Sequence, residues 1–142
     1  MYSRCEILLE NYCKVLGIES LTMLDMVRKD ILPAVCSYMK DLGETASAKR
    51  ALSNDISCEL EETLLKKLST LCICLYKKAD KLDTLVLGAK QYDDDIQACA
   101  RYYNESVFVA MQELRAVADE LETIVGEKYW PFPTYSALLF SI

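Results

Sequence analysis

Histidine is absent from this chain, and with it go the commonest general base and the commonest metal ligand. No Ser/His/Asp or Cys/His catalytic set can be assembled without it. Glycine and proline are scarce, at 4 and 3 of 142 residues, so little in the sequence interrupts helix formation. No glycine-rich phosphate loop occurs, which removes the local signature of nucleotide binding. No apolar run is long enough to span a membrane. With Arg4, Glu6 and Glu10 among the first ten residues, no secretory signal is expected there. Basic residues are outnumbered: 16 Lys and Arg face 22 Asp and Glu, a net charge of −6. That balance disfavours a nucleic-acid partner, which needs a basic face. Period-two alternation is missing, so no sheet is expected, and there is no solenoid repeat.

Cysteine is plentiful by contrast. The seven are Cys5, Cys13, Cys36, Cys58, Cys72, Cys74 and Cys99. The number is odd and no Cys-x-x-Cys pair occurs. Cys72 and Cys74 point to different sides of a helix, so they make no zinc knuckle. Most lie in apolar helical stretches, where a free thiol acts as a small hydrophobe. They read as reduced thiols in or near the core of a cytoplasmic protein.

The remaining pattern is all-α: an antiparallel bundle of three to four long helices with an extended C-terminal strap, in a single domain over residues 1–142. Helical stretches are expected at about 3–16, 19–43, 57–88 and 93–126. Ser3 and Glu6 are spaced as a capping box at the first start. Stretch one carries Ile7, Leu8, Tyr12, Val15 and Leu16, and Gly17 marks a break or a weak point before stretch two. Stretch two sets Leu24, Val27, Ile31, Val35, Tyr38 and Leu42 on one stripe. Pro33 lies inside it and predicts a kink near Lys29 to Leu32. Gly43 weakens its end, Ala46 to Leu52 has room for one more helical turn, and Ser53-Asn-Asp55 reads as a turn.

Stretch three opens with Glu59, Glu61 and Glu62, which complement the positive end of the helix dipole. Its stripe is Leu64, Leu68, Leu71, Leu75, Leu82 and Leu85, with Lys78 a weak seam position beside Ala79. Asp93-Asp-Asp95 reads as the cap and first turn of stretch four, since neighbouring carboxylates on a helix diverge too far to share a metal. Stretch four has the clearest pattern: Ile96, Ala100, Tyr103, Val107, Ala110, Leu114, Val117, Leu121 and Ile124 form a heptad seam. Glu113, Arg115, Asp119, Glu120 and Glu122 read as its solvated face.

The strap, residues 127–142, follows Gly126, which suits a left-handed helix cap. Pro131 and Pro133 cannot extend a helix and hold their neighbours extended. Tyr129, Trp130, Phe132 and Tyr135 then project from a stiff segment, and aromatics so placed are usually docked. The dock is either the chain's own bundle or a surface outside it. Tyr129, Trp130, Pro131, Phe132, Pro133 and Tyr135 are the candidate docking residues. No residue qualifies as catalytic, cofactor-binding or metal-ligating.

The helix Met111-Gln-Glu-Leu-Arg-Ala-Val-Ala-Asp-Glu-Leu-Glu122, the strap Lys128-Tyr-Trp-Pro-Phe-Pro-Thr-Tyr135 and Leu138-Leu-Phe140 together resemble the C-terminal end of type III glutamine synthetases. Glu10-Asn-Tyr-Cys-Lys14, Ile18 to Met26 and Ile31-Leu-Pro-Ala-Val35 are similar to the same region. The resemblance covers nearly the whole chain and contains no catalytic signature. It implies a fragment or excised domain of an enzyme that joins ammonia to glutamate with ATP and a divalent metal, Mg or Mn. The nucleotide, substrate and metal residues of that family lie upstream of the matched region, so none is carried over to this chain. The implied role is structural, and the implied partners are the remainder of the synthetase chain and neighbouring subunits. Self-association of this stretch is compatible with it. The alternative is a freestanding helical adaptor or coiled-coil oligomerisation protein, which the heptad seam supports without any family argument. A four-helix metal or redox protein is a third and weaker option.

Overall fold

The computed structural model describes residues 4–132. Ser3 of the expected capping box, and Pro133 and Tyr135 of the strap, lie outside the described residues.

Three helical rods run up, down and up. The first begins as α1 (Arg4–Met26), passes through a π-helical turn at Val27–Ile31 and continues as α2 (Leu32–Leu52). Gly17 does not break it. The bare glycine face admits the phenol of Tyr103, whose hydroxyl lies 3.3 Å from where a Cβ would stand. That packing outweighs a propensity cost of about 1 kcal/mol. The π-turn sits immediately before Pro33, which occupies the first turn of α2. Leu32 N–H bonds to the Val27 carbonyl, five residues back, and the wider turn makes room for the proline ring. Gly43 does not end α2 either. The helix runs on to Leu52 and buries Ala46.

Residues 53–58 turn the chain. Ser53 Oγ accepts from the Asp55 N–H at 3.1 Å, and Ser57 Oγ accepts from the Glu59 N–H at 3.2 Å. The second rod is α3 (Glu59–Gly88). A 3₁₀ turn at Ala89–Tyr92 leads to Asp95, whose carboxylate accepts from the Ala98 N–H at 3.2 Å and caps α4 (Ile96–Tyr102). Asp93 and Asp94 stay in the turn before that cap. A second π-turn at Tyr103–Val107 interrupts the expected single long helix before α5 (Phe108–Ile124). No proline or glycine announces it.

Ion pairs from Arg28 to Asp80 and Asp83 and from Lys49 to Glu61 fix α1–α2 antiparallel to α3. Contacts of Lys78 with Glu113 and of Leu85 with Tyr102 fix α3 antiparallel to the third rod. The core between the rods is built on Val27, Ile31, Val35, Leu68, Leu75, Leu82, Val107, Leu114 and Leu121. Each leucine buried here contributes about 1.5–3 kcal/mol relative to exposure. At the weak seam position the burial moves to Ala79, and Lys78 turns aside to meet Glu113 at 3.4 Å, with Lys81 at 3.6 Å. Glu113 is therefore drawn into a three-residue ion cluster that holds its carboxyl below the usual range, chiefly through the Lys78 hydrogen bond.

The end of the third rod corrects the expected cap. Val125 is extended, its N–H bonded to the Leu121 carbonyl at 2.9 Å. Among the described residues no glycine has a positive φ, so Gly126 is not a left-handed cap. It serves by lacking a side chain: a Cβ there would lie 3.2 Å from the Tyr129 ring and 3.6 Å from the Tyr38 ring.

Candidate functional site

The aromatic strap leaves the bundle at a tight turn. Tyr129 N–H bonds to the Gly126 carbonyl at 2.9 Å, and Trp130 N–H to the Glu127 carbonyl at 3.2 Å. The turn throws Tyr129 back across α2. Its ring meets Tyr38 with centroids 5.0 Å apart and planes tilted by 43°. Its hydroxyl donates to Asp41, and the Lys128 ammonium stands 4.9 Å from the ring centroid. The Asp41 hydrogen bond is the main reason that the Tyr129 phenol is held above its ordinary range. Tyr38 and Asp41 are three positions apart on one helix, so they share a face.

Trp130 and Phe132 are half-buried on the other side of the strap. They close one end of an apolar groove of about 620 Å³ between α1 and α5, where Met23, Met26, Phe108 and Met111 form the walls. Of the four described strap residues, Tyr129, Trp130 and Phe132 pack against the chain's own helices and Pro131 is exposed. Sequence reading missed the receivers of Tyr129, Tyr38 and Asp41, although their three-residue spacing was there to be seen.

A second groove of about 880 Å³ opens between α1 and the start of α4, lined by Glu10, Lys14, Ile18, Lys90, Asp94 and Cys99 among others. Cys13 and Cys99 meet in a small buried cluster behind it. Burial, and then the neighbouring Cys99, push the Cys13 thiol up to about 12, which keeps it protonated and unreactive. All seven cysteines are free; Cys5 and Cys36 are exposed, contrary to the expected core placement.

The two ends of the turn between α2 and α3 are clipped by charge. Lys49 pairs with Glu61, and Arg50 with Glu62. Glu61 is only 3% exposed, although the sequence reads it simply as one of three acidic residues that complement the dipole at a helix start. The Lys49 hydrogen bond, then its own backbone N–H, hold its carboxyl below the usual range. Its Oε2 has no protein partner.

Among the described residues no three Cys, Asp or Glu side chains come together as a metal site. Nor is any helix there long and apolar enough to cross a membrane.

Three relatives and one family profile are similar to this chain. The profile described as glutamine synthetase C-terminal domain matches residues 1–50. A glutamine synthetase of Butyrivibrio fibrisolvens is 41% identical over 142 residues, covering 100% of this chain and 20% of the relative. A type-3 glutamine synthetase of Dictyostelium discoideum is 32% identical, with 97% of this chain and 19% of the relative covered. A glutamine synthetase of Bacteroides fragilis is 25% identical with the same two shares. The chain therefore spans about one fifth of the length of the curated relatives it matches.

Proposed function

Since the chain belongs to the glutamine synthetase C-terminal domain family, we propose that it is the helical assembly domain of a type III glutamine synthetase polypeptide. The observation that carries this reading is the 41% identity running through all 142 residues, against only 20% of the relative. The parent would join ammonia to glutamate with ATP in the cytoplasm, through a glutamyl phosphate. The donor set described here does not fit the ATP and Mg or Mn of such an enzyme: no phosphate loop and no carboxylate trio is present. The contribution assigned to this domain is mechanical. Three packed rods provide a rigid body, and the strap ties the end of the third rod to α2. Such a body braces the catalytic portion and packs against neighbouring subunits.

The test is the intact mass of the native polypeptide that carries Tyr129-Trp-Pro-Phe132, captured from its source cells with an antibody to this chain. A product several times heavier than 16.1 kDa, with ATP-dependent ligase activity, is expected. A native product of 16.1 kDa would overturn the proposal in favour of a freestanding helical adaptor.

A further inference from the structure

A surface helix needs one apolar stripe, toward its core. Helix α1 has two. Its inner stripe is Cys13, Leu16, Ser20 and Leu24, buried against the bundle. Its outer face carries Ile7, Leu8, Val15, Ile18, Leu21 and Met26, all substantially exposed. Six of the fourteen large apolar side chains most exposed among the described residues thus sit on this one helix. Two more, Phe108 and Val109, stand at the start of α5, and Phe108 shares the 620 Å³ groove with Ile18 and Met26. Ile18 is the crest between the two grooves and lines both. Lys14 and Asp25 interrupt this outer face, but so many exposed apolar side chains gathered on one helix mark an interface.

We infer that the outer face of α1, centred on Ile18 and Leu21, is covered by the polypeptide that precedes this domain in the synthetase chain. The inference rests on the proposed place of this chain in a larger synthetase. Two observations select that occupant. About four-fifths of the relatives' own length lies outside the stretch that this chain matches, and the family profile describes the matched region as C-terminal. The bulk of that polypeptide therefore enters at α1, where Ile7 and Leu8 open the apolar face within the first two helical turns. The seat is mixed rather than purely oily. Lys14 and Glu10, paired at 3.3 Å, flank the apolar crest and suit a partner surface that is itself part polar, as between domains of one chain.

The experiment is side-chain footprinting of the native polypeptide with a photoactivated carbene, combined with cross-linking from Lys14. Leu60 is the internal reference, because its 65% exposure matches the 66% of Ile18. Labelling of Ile18 and Leu21 several-fold below that of Leu60, with Lys14 cross-linked to a peptide from outside these 142 residues, is the expected result. Equal labelling at Ile18 and Leu60 in a polypeptide of synthetase length overturns the inference and leaves the proposed function standing. Protection accompanied by cross-links from Lys14 to α1 of a second copy overturns it as well, in favour of self-association. A native mass of 16.1 kDa removes the proposed function, and the inference falls with it.

Discussion

The phenol of Tyr129 donates to the carboxylate of Asp41, a residue 88 positions earlier in the chain. That one contact closes the end of the third rod onto the middle of α2. Beside it the tilted rings of Tyr38 and Tyr129 meet, and a Cβ at position 126 would lie only 3.2 Å from the Tyr129 ring.

Removing the carboxylate reads out that latch directly. The Tyr129 phenol is held protonated beyond its ordinary range, first by the hydrogen bond to Asp41 and then by burial. A group whose folded pKa is raised contributes stability below its unfolded pKa, near 10, and loses it as pH rises through the folded value. In Asp41→Asn, one tyrosine should titrate at lower pH than in the wild type, seen as an earlier phenolate absorbance step. Superimposable titrations of the two proteins would mean that the latch is open in solution.

Much of this architecture is legible in the sequence, and the failures share a cause. The stripe from Leu24 to Val35 and the seam from Val107 to Leu121 are buried as their periodicity requires, because burial on a helix follows spacing. Pro33 announces its own disturbance, because a missing N–H is a local fact. Gly126 misleads, because a glycine after a helix reads locally as a left-handed cap, whereas Gly17 and Gly43 prove to be weak points that the helix runs through. In the fold, Gly17 and Gly126 are landing places for tyrosines from elsewhere, and Gly43 is simply tolerated in a helix with other support. The burial of Glu61 is likewise set by a partner on another rod, Lys49. The strap aromatics could be picked out from composition, but the seat of Tyr129 on Tyr38 and Asp41 is a tertiary fact.

Gly88 and Tyr102 provide the sharpest steric test. A Cβ at position 88 would lie 2.7 Å from the Tyr102 hydroxyl, which donates to the Leu85 carbonyl at 2.5 Å. Gly88→Ala should destabilise the protein by about 1–3 kcal/mol, because the ring must shift off its hydrogen bond and off Tyr92. Tyr102→Phe alone should cost about 1 kcal/mol for the lost hydrogen bond. It also removes the atom that clashes, so the double variant should be more stable than the sum of the two losses implies. Strict additivity in urea denaturation would show that the two residues do not touch.

Leu121 and Trp130 separate core from clasp. Leu121 is fully buried, and Leu121→Ala should cost about 2–5 kcal/mol. Trp130 is only half-buried, so Trp130→Ala should lose less than the full penalty of a buried tryptophan, about 1–3 kcal/mol. Chemical denaturation followed by far-ultraviolet dichroism ranks the two. A Trp130 variant as stable as the wild type would mean that the strap does not seat on the groove.

Glu61 sets the acid limit at the α2–α3 end. Its carboxyl is held below the usual range, first by the Lys49 hydrogen bond and then by its own backbone N–H, against an opposing push from burial. A depressed folded pKa contributes stability that is present above the unfolded pKa, near 4.5, and is lost as pH falls through the folded value. Glu61→Gln keeps the shape and removes the charge, leaving Lys49 without its counter-ion. The variant should therefore melt below the wild type at pH 7, and the gap should narrow as both are acidified below pH 4.5, since only the wild type has this carboxylate to lose. Lys49→Met makes the complementary case. It leaves Glu61 buried without its cation, so that variant should also melt lower at neutral pH but regain ground in acid, where the neutral carboxyl is the better tenant of the site. Parallel melting curves for all three proteins across that range would show that the ion pair contributes nothing to the folded state.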